Sequence, residues 1–231
     1  MGNYEKIYNE QADEYERLVA HEDYQGNILP ALEQIKPLEG LDVVEFGAGT
    51  GRLTCMLAPV VKTIQAYDIS AHMLEAAVAK LEESGLRNWQ TGIADHRELP
   101  VDDQSADLAI SGWSICYITN DYEEGWQREV GKALSEMKRV LRPGGTILIL
   151  ETLGTGHKTP TPPDGMKPYL AFLDKEAGFF STWIRTDYLF ESLEEAKEVT
   201  GFFFGEEMVE NVISADAVIL PECTGIWWLH V

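Results

Sequence analysis

The sequence predicts an α/β fold, with a mostly parallel sheet covered by helices on both faces. Short apolar segments alternate with amphipathic ones along residues 41–151, which is the pattern of parallel strands joined by helical crossovers. The segment Thr146–Leu150 (TILIL) is apolar on both faces, as a central strand requires. A turn with alternating glycines, at 47–51, joins an apolar segment to a helical one. Such a turn predicts a ligand crevice at this edge of the sheet.

Each short apolar segment is assigned to a strand. The predicted strands span residues 41–46, 63–67, 89–93, 108–111, 146–150, 182–189 and 225–231. The segment at 154–165 is a loop rich in Gly, Pro and Thr. It is longer than a simple connection, which makes it a candidate active-site loop.

Helices are predicted where apolar residues recur at three- and four-residue intervals. The predicted helices span residues 3–20, a segment after Asp23, 70–84, 121–141, 168–177 and a segment that begins at 192. Ser70 is the expected N-cap of the helix that Gly85 ends. Ser192 and Glu195 form a capping-box pattern, and the Arg-Pro-Gly-Gly sequence at 142–145 is expected to end the longest helix.

Composition and charge narrow the function classes. The chain has 231 residues, 45% of them hydrophobic and 25% charged, as in an ordinary globular protein with a sizeable core. The formal net charge of −21 disfavours nucleic acid and other polyanions as partners. No segment reads as a signal peptide or a membrane span, and the cysteines lack metal-ligand spacing. We therefore expect a cytoplasmic monomer or homodimer, with no metal, no nucleic-acid partner and no contact with a membrane.

The glycine turn Gly47-Ala-Gly49-Thr-Gly51 excludes two common nucleotide sites. A dinucleotide-binding turn spells G-x-G-x-x-G, and Arg52 stands where its third glycine would fall. A Walker phosphate loop needs G-K-[ST], which the turn lacks. NAD is therefore a poor fit. A tight turn with no ligand remains the alternative for the three glycines.

Four motifs resemble those of class I S-adenosylmethionine-dependent methyltransferases. In chain order they are VVEFGAGTGRLT at 43–54, YDIS at 67–70, GIADHRELP at 92–100 and LRPGGTILILE at 141–151. The pattern Tyr8-x3-Ala12-x2-Tyr15 is also similar to the helix over the cofactor in the small-molecule subgroup that includes ubiquinone/menaquinone-biosynthesis enzymes. The resemblance covers about residues 4–151.

The resemblance implies a Rossmann-like fold with a seven-stranded, mostly parallel sheet. The last strand should insert antiparallel beside the fifth. The whole chain, 1–231, should form one methyltransferase domain: a helical lid at 3–36, a cofactor-binding core at 41–151, and an acceptor side at 152–231. The implied cofactor is S-adenosylmethionine, with S-adenosylhomocysteine as product.

Specific roles follow from the family motifs. Gly47 and Gly49 would let the backbone approach the methionine part of the cofactor, and Glu45 would receive its amino group. Asp68 would accept hydrogen bonds from two ribose hydroxyls, while Asp95 would accept from the adenine amino group. The residues implied to bind the cofactor are Tyr8, Tyr15, Glu45, Gly47, Gly49, Gly51, Asp68, Ile69, Met73, Ala94, Asp95, Ser111 and Trp113. Ile69 and Met73 would cover adenine, and the N–H of Ala94 or Asp95 would donate to it.

The acceptor is predicted to be a small molecule. After the fourth strand the chain reads Ser111-Gly-Trp113-Ser, which departs from the Asn/Asp-Pro-Pro-aromatic element of nucleobase methyltransferases. His157, in the long loop, is the candidate catalytic base, with a solvated loop histidine as the alternative. Trp113, Tyr117 and Tyr188 are candidates for the acceptor pocket, with core packing as the alternative. A cofactor-binding protein without methylation activity remains the second hypothesis.

Overall fold

A seven-stranded sheet lies at the centre of the computed structural model, which describes residues 12–122, 124–205, 213–214 and 218–231. The strands are β1 (Asp42–Phe46), β2 (Thr63–Asp68), β3 (Trp89–Ile93), β4 (Ala106–Gly112), β5 (Leu141–Thr155), β6 (Phe180–Arg185), β7 (Tyr188–Phe190), β8 (Ile213–Ser214), β9 (Val218–Leu220) and β10 (Glu222–His230). The large sheet has the order β3-β2-β1-β4-β5-β10-β6, and a small sheet has the order β7-β9-β8.

The strand directions confirm the predicted Rossmann-like topology. Strands β3, β2, β1, β4 and β5 are paired in parallel. Strand β10 is antiparallel to both β5 and β6, as predicted for the last strand, although it begins at Glu222 and not at Gly225. The chain leaves β1 toward β2 on one side and returns to β4 on the other, so the edge between β1 and β4 is the switch point where α/β sheets bind ligands.

Helices cover the two faces of the large sheet. They are α1 (Ala12–Val19), α2 (Ile28–Ile35), α3 (Arg52–Leu57), α4 (Ala71–Glu83), α5 (Ile118–Asp121), α6 (Trp126–Val140), α7 (Lys167–Lys175) and α8 (Leu193–Phe204). In β5, Ile147 and Ile149 pack into one core, with residues of α6 and α7, while Leu148 and Leu150 pack into the other, with residues of α2 and α3. This confirms that β5 is buried on both faces.

Two predicted helix starts are confirmed by their caps. The Ser70 hydroxyl accepts a hydrogen bond from the Met73 N–H at 3.3 Å, and the Ser192 hydroxyl accepts from the Glu195 N–H at 3.1 Å. The Glu195 carboxylate reaches back to the Glu191 N–H, one residue before the cap. Both helices therefore begin where their sequence signals place them.

Several predicted boundaries were wrong. The strand predicted at 182–189 is two strands in different sheets. The pairing with β10 ends at Arg185, because the Asp187 carboxylate accepts a hydrogen bond from the Glu222 N–H at 2.9 Å. The helix predicted at 121–141 begins at Trp126, since Gly125 has a left-handed φ of 81°. Strand β5 runs to Thr155, into the predicted loop. Of the helix predicted at 3–20, residues 3–11, including Tyr8, lie outside the described residues.

Candidate active site

The glycine turn after β1 contains three residues with positive φ: 75° at Gly47, 54° at Gly49 and 80° at Gly51. A Cβ on Gly47 would overlap Ser114 and lie 2.7 Å from His96 Nε2, while one on Gly51 would lie 2.8 Å from Ala77 Cβ. At Gly49 the nearest atom would be Met73 Cε, at an ordinary 3.8 Å. The protein's own packing thus requires glycine at 47 and 51, whereas it would tolerate a Cβ at position 49.

Asp68, at the end of β2, holds the glycine turn. Its Oδ2 accepts from the Gly49 N–H and its Oδ1 from the Ser70 N–H, both at 2.8 Å. A carboxylate has about four lone-pair sites, so each oxygen can accept one further bond. Asp68 therefore joins the turn to the start of α4 while it can still receive two hydroxyl groups.

Glu45 is buried in β1 at 2% exposure. Its Oε2 accepts from the Thr54 hydroxyl at 2.6 Å. Burial raises the pKa of Glu45 to about 8. An ammonium group beside it would favour the ionised form, so this carboxyl suits the amino group of an amino-acid ligand.

The turn after β3 is arranged differently from what the motif implies. The Ala94 N–H donates to the Asp68 carbonyl at 3.0 Å, at the end of the β2–β3 pairing, so it is already paired within the protein. Both Asp95 carboxylate oxygens accept from Arg97, at 2.7 and 2.6 Å. These bonds lower the pKa of Asp95 to about 2. A purine ring at this turn would therefore rely on the Asp95 N–H and the remaining lone pairs of its carboxylate.

The apolar residues near this turn separate into exposed and buried ones. Ile69 is 68% exposed and Ile93, which the sequence did not single out, is 64% exposed. Ile69 directly follows β2, and Ile93 is the last residue of the neighbouring strand β3. Together they offer apolar cover for a flat ring. Met73 is 1% exposed and lies beneath Gly49, so it supports the turn from inside.

His96 and Ser114 brace the other side of the turn. The His96 Nε2 lies 2.8 Å from the Ser114 hydroxyl, directly against Gly47. Burial lowers the pKa of His96, which favours the neutral imidazole. The sequence analysis did not single out His96. Its place in the GIADHRELP motif was the signal available.

Two buried hydroxyls at the glycine turn and in β4 are unpaired among the described residues. Ser111 in β4 and Thr50 in the glycine turn are each 1% exposed. Within the described parts of the chain, neither hydroxyl oxygen has a hydrogen-bond partner. Buried polar groups are nearly always paired, so these atoms are candidates for ligand contacts.

Arg52 connects several predicted site residues. Its guanidinium donates to Glu22 Oε2 at 2.7 Å, and the Tyr188 hydroxyl donates to the same oxygen at 2.9 Å. The guanidinium also lies over the Trp113 ring, 4.0 Å from its centroid. Tyr15 belongs to the same region, where burial raises its pKa and both Arg52 and Glu22 act on it electrostatically. Sequence reasoning missed Arg52 and Glu22 as members of this cluster.

The remaining acceptor-side candidates differ in burial. Tyr117 is partly buried in the short 3-10 segment Ile115–Tyr117. His157 is exposed, and its carbonyl accepts from the Cys223 thiol at 3.4 Å. Tyr188 is 5% exposed, and burial raises its pKa well above the ordinary value. The structure thus brings Trp113 and Tyr188 together through Arg52 and Glu22.

Residues 44–149 match the family described as methyltransferase domain. The fold is that of phosphoethanolamine N-methyltransferase 2 from Haemonchus contortus, with a TM-score of 0.63 and 17% identity over 99% of this chain and 60% of that one. Over residues 44–149, just under half of its length, the chain is thus similar to methyltransferase domains, and its fold is shared with S-adenosylmethionine-dependent methyltransferases of known structure.

Two curated relatives match about half of the chain. The uncharacterized protein YafE of Escherichia coli K12 is 34% identical over 111 residues, 48% of this chain and 49% of that protein. The ubiquinone/menaquinone biosynthesis C-methyltransferase UbiE of Idiomarina loihiensis is 34% identical over 116 residues, 48% of this chain and 43% of that protein. The chain thus spans about half the length of these relatives. Among the helices of the described residues, none is long and apolar enough to cross a membrane.

Proposed function

We propose that this methyltransferase domain transfers a methyl group from S-adenosylmethionine to a small-molecule acceptor. The observation that supports this proposal most directly is the Asp68 carboxylate, which accepts from the Gly49 and Ser70 N–H groups and has one further lone pair on each oxygen. A vicinal diol would complete the coordination of the carboxylate. The buried Glu45 carboxyl, one strand away, would receive the amino group of the methionine part.

The residues present fit this donor along its whole length. Gly47 and Gly49 expose backbone at the centre of the crevice, Asp68 lies on the ribose side, and Ile69, Ile93 and Asp95 lie on the adenine side. When bound, S-adenosylmethionine supplies a methyl group on a positively charged sulfur. The chain's contribution is to orient the acceptor in line with that methyl group and to exclude water.

The acceptor side supports a small and not strongly anionic substrate. The net charge of −21 repels polyanions. Beside Trp113, the positive charge of Arg52 is paired with the negative charge of Glu22, so it is not free to attract an anionic substrate. We further propose that the segment 3–36 acts as a lid, because the Arg52–Glu22 ion pair ties its described part to the end of the glycine turn. One domain over 1–231, a cytoplasmic location and a monomeric or homodimeric state are part of the same proposal.

Calorimetry with S-adenosylmethionine, S-adenosylhomocysteine and NAD tests the binding step. We expect binding of both adenosyl ligands and none of NAD. NAD binding without a response to either adenosyl ligand would overturn the proposal. A screen of small molecules that follows S-adenosylhomocysteine release separates the enzyme from a binding protein without methylation activity.

A further inference from the structure

Glu151, at the end of the TILILE segment, is a buried carboxylate that the proposed function leaves unused. It is 1% exposed. Its Oε1 accepts from the Tyr169 hydroxyl at 3.0 Å and from the Cys116 N–H at 3.2 Å. Its Oε2 is buried and has no hydrogen-bond partner among the described residues. A buried carboxylate oxygen that stays unpaired is costly, so a donor from outside the described residues is expected there.

The strand order indicates where Glu151 lies relative to the end of the crevice at which the methyl group would be transferred. The ribose and adenine residues lie at the ends of β2 and β3, and the glycine turn follows β1. Since the strand order continues to β4 and β5, the opposite end of the crevice lies over these two strands. The Trp113 N–H donates to the Leu150 carbonyl at 2.7 Å, which places Glu151 beside the end of β4.

Glu222 provides a matched comparison. It is 2% exposed, its Oε1 accepts from the Thr152 hydroxyl at 2.6 Å, and its Oε2 has no partner within the described part of the chain. It lies on β10, one strand beyond β5. Its partner Thr152 follows Glu151 in the strand, so the two carboxylates lie on opposite faces of the sheet.

We propose that Glu151 is the catalytic base of the methyl transfer. This role requires an acceptor with an ionisable N–H or O–H at the methylated atom. The acceptor donates this hydrogen to Glu151 Oε2. Its lone pair forms the new bond to the methyl carbon, the carbon–sulfur bonding pair returns to sulfur, and the proton passes to Glu151 and then to water. This inference rests on the proposed function.

The electrostatic surroundings suit this role. Burial raises the pKa of Glu151 to about 7, near the pH at which a general base is most effective. The titratable groups that face it are the Cys116 thiol and the Tyr169 phenol. Burial raises the pKa of both well above their ordinary values, so both stay protonated at neutral pH. Glu151 is therefore the group of this cluster that titrates near neutrality.

The test needs no knowledge of the acceptor. Sinefungin carries a charged amine where S-adenosylmethionine carries the transferable methyl group, and is otherwise close to S-adenosylhomocysteine. The ratio of their affinities, measured by calorimetry at pH 6, 7 and 8, reports a carboxylate at the reacting position. Glu45 contacts a part that both ligands share, so its titration cancels in the ratio.

We expect the wild-type chain to prefer sinefungin by about tenfold or more at pH 8, which corresponds to about 1.4 kcal/mol. The preference should fall as Glu151 takes up its proton toward pH 6. Glu151→Gln, which keeps an oxygen for Tyr169 and Cys116, should remove the preference and its pH dependence while binding S-adenosylhomocysteine normally. Glu222→Gln should keep both. Tyr169→Phe removes a donor to Glu151 and should move the midpoint to higher pH, which a purely structural role would not do.

Two results of the binding measurements would overturn the inference. One is an unchanged preference in folded Glu151→Gln, and the other is a loss confined to Glu222→Gln. A chain that binds neither ligand would instead contradict the proposed function. Amine and hydroxyl acceptors, tested separately by S-adenosylhomocysteine release, identify which donor group is used. Methylation of a carbon or a thioether sulfur would also count against Glu151 as proposed.

Discussion

Residues that line the crevice can stabilise the fold, contact the ligand, or do both. Asp68 is proposed to receive the ribose, yet it also pairs two backbone N–H groups that hold the turn. A Cβ on Gly51 would clash with Ala77, whereas one on Gly49 would make only an ordinary contact with Met73. A substitution at one of these positions therefore affects stability, ligand affinity or both, in a way that the contacts predict.

Asp68→Ala should weaken affinity for S-adenosylhomocysteine by about 10- to 100-fold, since hydrogen bonds to a charged group are worth about 1.5–3 kcal/mol. It should also lower the free energy of unfolding, because the Gly49 and Ser70 N–H groups lose their acceptor. The matched control is Asp107→Ala, where the carboxylate accepts the Asp42 N–H at 2.9 Å at the other end of the sheet. Calorimetry and urea unfolding should show a stability loss without an affinity loss for Asp107→Ala. Unchanged affinity in Asp68→Ala would refute the ribose placement.

Gly49→Ala and Gly51→Ala should separate ligand space from packing. A left-handed conformation costs an alanine about 1–2 kcal/mol at either position. The Gly51 variant adds a clash at 2.8 Å with Ala77 Cβ, so it should be the less stable of the two. The Gly49 variant should stay folded and lose affinity for S-adenosylhomocysteine. Thermal unfolding and calorimetry check both, and normal binding by Gly49→Ala would show that the ligand does not approach this residue.

At the scale of elements, the buried Arg52–Glu22 pair joins α3 to the segment between α1 and α2. Their side chains are 14% and 4% exposed, and the Tyr188 hydroxyl adds β7 to the same connection. Helix α1 makes a second contact through Glu16, which accepts from Lys80 of α4 at 2.7 Å. The N-terminal segment is thus held against the glycine turn by polar groups and not only by apolar packing.

Glu22→Ala should reduce the free energy of unfolding by about 3–5 kcal/mol, because it leaves the buried Arg52 charge without its partner. Arg17→Ala is the comparison, since Arg17 pairs with Glu14 and Glu198 at exposed positions. Exposed pairs contribute about 0–1 kcal/mol. Urea unfolding measures both variants. A Glu22→Ala loss no greater than that of Arg17→Ala would mean that the pair does not hold the segment.

At the scale of the whole molecule, the sequence predicted what depends on local pattern. The alternation of apolar and amphipathic segments, the two serine caps and the order of the motifs gave the sheet and the crevice. Contacts between distant side chains were not predictable, because packing decides them: Tyr188 meets Glu22 across 166 positions of sequence. The split of the strand at 182–189 depended on the same kind of contact, from Asp187 to Glu222.

Buried carboxyls also set how the stability of the whole molecule responds to pH. Burial raises the pKa of Glu45 and Glu222 to about 8 and that of Glu151 to about 7, from an ordinary 4.5. Between these values the folded chain keeps protons that the unfolded chain has lost. Stability must therefore fall as pH rises from about 5 to 8, by up to about 1.4 kcal/mol per pH unit for each group. Repulsion within a chain of net charge −21 acts in the same direction.

Salt and a matched pair of variants separate the two causes. Repulsion among exposed charges is screened by about 0.5–1 M salt, whereas the protonation of buried carboxyls is not. Glu222→Gln should flatten the decline of stability between pH 5 and 8. Glu75→Gln removes the same charge from a side chain that is 80% exposed and should leave the slope unchanged. Urea unfolding across this pH range, at low and high salt, measures the slopes. Equal slopes in Glu222→Gln and the wild-type chain would mean that Glu222 is ionised in the folded protein and that surface repulsion alone causes the decline.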